Sequence, residues 1–170
     1  MPVGKLVQVS TAVSDGSVTS LTVTGINDDS VYMIVTSKLA TNNNNEAQQI
    51  RVTTSGTADS DSEYDQAHRY LSSTSQSNGF QANANKLSWL DNCDDDNGGG
   101  QGIAYLYNFN NSSEYSFWTY ETVATVSNQT AGLAGGAVHT VAEANDGVQI
   151  FGLNGGTYKS GARITLYRVV

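Results

Sequence analysis

The chain is written in short apolar runs, each stopped after a few residues by glycine or by a cluster of Asn, Asp and Ser. Lys5 to Val9 opens the series. Ser17 to Thr24 follows with Leu21 and Val23, ending at Gly25 and the turn Asn27-Asp28-Asp29-Ser30. Val31-Tyr32-Met33-Ile34-Val35-Thr36 is nearly continuous, as a central strand would be, and Gln49-Ile50-Arg51-Val52-Thr53-Thr54 alternates. Gly102 to Phe109 and Ser116 to Val126 read as a hairpin across Asn110-Asn111-Ser112-Ser113. Gly136 to Ala142, Gly147 to Leu153 and Gly161 to Val169 complete the set. Runs this short, rich in β-branched and aromatic residues and bounded by turn formers, make strands rather than helices.

The rest of the composition agrees. Charged residues are 14% of the chain, and the polar weight falls on Ser, Thr and Asn, with 17 Gly. Helix formers such as Glu, Lys, Arg and Leu are scarce, which disfavours a helical bundle. The expected fold is all-β: an antiparallel, jelly-roll-like β-sandwich of about eight or nine strands, formed by a single domain over residues 1–170. Short connections between the later strands favour antiparallel pairing. Residues 58–96 lack a clear strand pattern. A stretch of that length in a compact domain is expected to be an ordered excursion over one face.

Charge and cysteine content exclude several classes. Sixteen acidic residues stand against eight basic ones, a net charge of -8. A chain so acidic repels the phosphate backbone, so no nucleic-acid partner is expected. No window is apolar enough for a membrane-spanning helix. The opening Met1-Pro2-Val3-Gly4-Lys5 lacks the basic-then-apolar pattern of a signal peptide, so synthesis and folding in a cytoplasm are expected. Cys93 is the single cysteine, and no intrachain disulfide can form.

The residues that could carry chemistry are few. Asn92, Asp94 and Asp96 offer oxygen ligands at alternate positions before Gly98-Gly99-Gly100, the pattern from which a Ca²⁺ loop is built. The glycine comes one residue late, and the twelfth position is Ile103, which cannot ligate; a solvated acidic loop is the competing reading. Gly98 to Gly102 lacks the Gly-Lys-Ser/Thr ending of a phosphate loop and reads as a turn into the next strand. His68 and His139 have no nucleophile elbow near them in sequence, so structural roles are expected. The acidic residues around Cys93 disfavour its thiolate. Glu46, Glu63, Glu114, Glu121 and Glu143 are scattered and define no acid pair. Trp118 and Tyr120 share one strand face, as do Tyr105 and Tyr107. Such rings stack on sugars when exposed, which makes Trp118 and Tyr120 the carbohydrate-binding candidates; when covered they fill a core or a subunit interface. No catalytic residues are assigned.

Three stretches are similar to the small jelly-roll structural proteins of tailed bacteriophages, especially marine and cyanobacterial phages. They are Leu21-Thr22-Val23-Thr24-Gly25-Ile26 with Val31-Tyr32-Met33-Ile34-Val35 after its Asx-rich turn, Tyr64-Asp65-Gln66-Ala67-His68-Arg69-Tyr70, and Tyr158 to Tyr167. Such proteins often close on Leu-Tyr-Gly, where this chain has Leu166-Tyr167-Arg168. The resemblance implies a non-enzymatic virion component assembled in the host cytoplasm and often a homotrimer. A capsid decoration (cement) subunit bound to the major capsid protein or other virion proteins is the first reading. A tail-fibre or tail-appendage subunit that binds host-surface glycans is the second. No cofactor is implied, and Ca²⁺ at Asn92, Asp94 and Asp96 is the one cation site the residues suggest.

Overall fold

The computed structural model describes residues 4–93, 98–126 and 129–170. Thirteen strands and no helix appear among them: β1 (Leu6–Val13), β2 (Ser20–Thr24), β3 (Tyr32–Leu39), β4 (Glu46–Thr54), β5 (Thr57–Ala58), β6 (Tyr64–Ser72), β7 (Gln76–Ala84), β8 (Leu87–Cys93), β9 (Gly100–Tyr107), β10 (Tyr115–Val126), β11 (Gln129–Ala142), β12 (Gly147–Gly152) and β13 (Arg163–Val169). They form two antiparallel sheets. The larger has eight strands in the order β1-β13-β3-β9-β10-β11-β6-β7; the smaller runs β2-β12-β4-β5, with β8 also paired to β4. The expected antiparallel sandwich is thus present, and its strand order is compatible with a jelly roll.

The strand count exceeds the eight or nine expected because the described part of 58–96 is itself largely sheet. It is ordered, but as β6, β7 and β8 rather than as a loop lying over a face. In β6 the inward positions are Tyr64, Gln66, His68 and Tyr70, and the outward ones include Ala67, Arg69 and Leu71. The period is 2, but its inner members are polar or aromatic, so an apolar alternation does not reveal it. In β7, Gln76-Ser77-Asn78-Gly79-Phe80-Gln81 has the composition of a loop and becomes a strand through its pairing with β6. Gly79 leaves room for the ring opposite it: a Cβ there would lie 2.2 Å from His68 Nε2.

The core lies between the sheets. The larger sheet contributes Tyr32, Ile34, Leu106, Trp118, Tyr120, Leu133, Ile164 and Leu166; the smaller contributes Leu21, Val23, Ile50, Val52, Leu87, Trp89, Val148 and Ile150. Each such side chain contributes about 1.5–3 kcal/mol through burial. Trp89 stacks on Tyr120 across the layer, with ring centroids 6.0 Å apart. Gly102 makes room for this contact, since a Cβ there would stand 2.7 Å from the Trp89 ring.

Candidate functional site

Trp118 and Tyr120 point inward from β10 and are 2% and 3% exposed. Trp118 packs on Phe109, and Tyr120 packs on Trp89 while its hydroxyl pairs with the Gln66 side chain. Neither ring offers a face to a sugar, so the structure corrects the carbohydrate assignment: these rings fill the core. The other face of the same strands carries the exposed rings, Tyr105, Tyr115 and Phe117, with Tyr107 partly exposed. Asn92 lies at the end of β8, with its carboxamide nitrogen donating to the carbonyls of Asn45 and Asp91 at 2.7 and 2.9 Å. Asp94 and Asp96 lie outside the described residues.

The scattered glutamates have separate fates. Glu46 is buried, and its carboxylate accepts the Thr41 hydroxyl and the backbone N–H groups of Asn154 and Gly156. Glu114 accepts from the Asn108 side chain at 2.9 Å. Glu121 stands on the outer face of the larger sheet. Glu63 and Glu143 converge on His139. Cys93 is 2% exposed, and burial pushes its thiol up to about 12, with the Glu46 carboxylate adding in the same direction. His68 is partly buried, and desolvation lowers its pKa, opposed by the charge of Asp91.

Two arrangements stand out once the side chains are placed. One is the cluster around His139, which is fully buried near the end of β11. Its Nε2 lies 2.8 Å from Asp59 Oδ2 and 3.5 Å from Glu63 Oε2, and its Nδ1 lies 3.4 Å from Asn145 Nδ2. The tautomer with the proton on Nε2 satisfies both nitrogens: the ring donates to Asp59 and accepts from Asn145. Asn145 also donates to the buried Ser116 Oγ at 2.9 Å, Thr54 donates to Glu143 at 3.0 Å, and Tyr64 packs on the imidazole with centroids 5.0 Å apart. One carboxylate or imidazole atom from each of Asp59, His139 and Glu143 lies within 4.8 Å of the others, as does one carboxylate oxygen from each of Asp59, Asp61 and Glu63. These hydrogen bonds fix the segment before β6 to the end of β11. Ser116 itself is fully buried. The sequence leaves Asp59 and Asn145 unassigned: the run Asp59-Ser60-Asp61-Ser62-Glu63 is visibly acidic, but nothing in it names His139 or Asn145 as a partner.

The other arrangement is the outer face of the eight-stranded sheet. Antiparallel register lines its residues up in rows across β9, β10, β11, β6 and β7: Tyr105–Thr119–Gly136–Ala67–Phe80, then Ile103–Glu121–Ala134–Arg69–Asn78, then Gln101–Val123–Gly132–Leu71–Gln76. Phe80 is 83% exposed, and Leu71, Tyr105, Phe117 and Val123 are all exposed as well. An apolar face this extended is the kind of surface that meets another macromolecule.

Comparison with family models, with curated proteins and with solved structures gave no significant match.

Proposed function

We propose that the chain is a non-enzymatic structural subunit of a tailed-bacteriophage virion, with capsid decoration as its role. The observation that carries the reading is the outer face of the larger sheet, where Phe80, Leu71, Tyr105, Phe117 and Val123 lie exposed on rigid, mutually paired strands. A decoration subunit works by association: it covers apolar surface on neighbouring copies or on the lattice and stabilises the assembled form by binding it preferentially. A sheet face with bulky apolar residues suits that task better than a loop surface, because little conformational entropy is lost on contact. The resemblance described above supplies the virion setting.

Light scattering coupled to size exclusion tests the associative part of this reading. A discrete oligomer at micromolar concentration is expected, with antibody labelling then locating the protein on particle heads. A monomer that neither self-associates nor binds mature capsids would overturn it.

A tail-appendage subunit with a glycan-binding role is the second reading. It rests now on the exposed Tyr105, Tyr115 and Phe117 rather than on the buried Trp118 and Tyr120. Binding to host-surface polysaccharide that is lost in Tyr105→Ala would favour it over decoration.

A further inference from the structure

We propose that the outer face of the larger sheet pairs with the same face of a second copy, about a two-fold axis that lies in the interface along β11. This deepens the assembly reading above and rests on it. The argument is complementarity of the face with itself.

A two-fold along β11 exchanges β10 with β6 and β9 with β7, row by row. In the row through Ala134 it sets Glu121 opposite the Arg69 of the second copy, twice. In the row through Gly132 it sets Val123 opposite Leu71, and in the row through Gly136 it sets Tyr105 opposite Phe80. In these three rows one operation matches acid with base, aliphatic with aliphatic and aromatic with aromatic, while in the row through Val138 it sets Phe117 opposite Asp65 at the margin of the matched patch. Among the described residues neither Glu121 nor Arg69 has an opposite charge as partner within the chain. Glu121 is exposed and has no hydrogen-bond or ion-pair partner among the described residues, and Arg69 donates only to the neutral amides of Asn78 and Gln76.

Charge explains why a second copy is the occupant. Molecules carrying -8 repel one another, so they can meet only where that charge is thin. On the described outward positions of these five strands the charged residues are Asp65, Arg69 and Glu121, and Asp65 already accepts the Asn83 N–H at 2.8 Å. Gly132, Ala134 and Gly136 along the axis put no bulk between two sheets that approach to about 10 Å. Five strands and eight residues of length span roughly 24 by 26 Å. With side-chain relief that approaches the ~800 Å² each partner gives to a standard interface.

The test is mass in solution for the full chain across the micromolar range, with variants. The wild type is expected to be a dimer. Glu121→Arg and Arg69→Glu each set like charges face to face, and each is expected to weaken the dimer by roughly tenfold or more. The double variant Glu121→Arg/Arg69→Glu restores the opposite-charge pairs and is expected to restore the dimer. Phe80→Ser provides an uncharged check and is expected to weaken it too. All three side chains are solvent-facing, so thermal melting of the monomer reports that each variant folds. A discrete trimer, or a dimer indifferent to both charge reversals, overturns the two-fold face but leaves self-assembly standing. A folded double variant that stays monomeric overturns the Glu121–Arg69 pairing. A wild-type monomer throughout overturns this face and removes the self-association that the decoration reading expects.

Discussion

Glu46 Oε1 accepts the backbone N–H of Asn154 at 2.7 Å, so a buried carboxylate on β4 fixes the turn that follows β12. The same oxygen accepts Gly156 N–H at 3.2 Å, and Oε2 accepts the Thr41 hydroxyl. The turn fits closely around the carboxylate, since a Cβ on Gly156 would lie 2.2 Å from Oε2. Glu46→Leu removes both acceptor oxygens and leaves the Asn154 and Gly156 N–H groups and the Thr41 hydroxyl without this partner. Buried hydrogen bonds to a charged group are strong, and a broken partner set leaves the rest unsatisfied. We expect Glu46→Leu to cost about 2–4 kcal/mol in denaturant unfolding, seen as a lower midpoint at unchanged slope. A variant as stable as the parent would show that the turn holds without the carboxylate.

Glu63 gives the fold a pH dependence of opposite sign to that of a salt-bridged acid. Burial raises its pKa above the ordinary 4.5, and the neighbouring Asp59 charge adds to the rise. The folded state therefore holds this proton more tightly than the unfolded chain does. The group's contribution is most favourable below the ordinary carboxylate range and is lost as pH rises through the raised folded value. Glu63→Gln removes the charged form, so the variant should melt above the parent at pH 7, and the difference should close toward pH 4. The side chain is 36% exposed, so the gain is modest. A variant less stable than the parent at pH 7 would mean that Glu63 stabilises through its contact with His139 instead.

The sheets were legible where the inward residues are aliphatic. Ile34, Ile50, Leu106 and Ile164 stand in runs whose period is plain, and each is in the core. Strands β6 and β7 were not legible, because β6 buries Tyr64 and Gln66 and points His68 and Tyr70 inward, while β7 owes its form to its neighbour. Pattern alone also could not choose a face. Alternation correctly put Trp118 and Tyr120 on one side of β10, but which side meets the second sheet depends on pairings far away in the chain. The His139 cluster is illegible for the same reason, since Asp59 and His139 are 80 residues apart.

Cys93 should be silent toward thiol reagents in the folded protein. Its thiol is pushed up to about 12, chiefly by burial, from an ordinary 9.0. A rise of that size lowers the thiolate fraction at pH 8 by roughly a thousandfold. Reaction at pH 8 is expected to track global unfolding and to become rapid in denaturant. Fast modification in native buffer would mean that the end of β8 opens locally.

The two tryptophans should respond differently to the same substitution. Trp89 Nε1 donates to Thr36 Oγ1 at 3.2 Å across the core, whereas Trp118 Nε1 is buried with no partner among the described residues. Replacing either ring with Phe leaves a cavity. In Trp89→Phe the cavity comes with a lost buried hydrogen bond; in Trp118→Phe it comes with removal of a donor that was already unpaired, while the contact with Phe109 is retained in kind. Trp89→Phe is therefore expected to cost about 1–3 kcal/mol more than Trp118→Phe. Denaturant unfolding of both variants decides it, and a Trp118→Phe loss equal to or larger than that of Trp89→Phe would show that packing volume, not the indole N–H, sets the balance in this core.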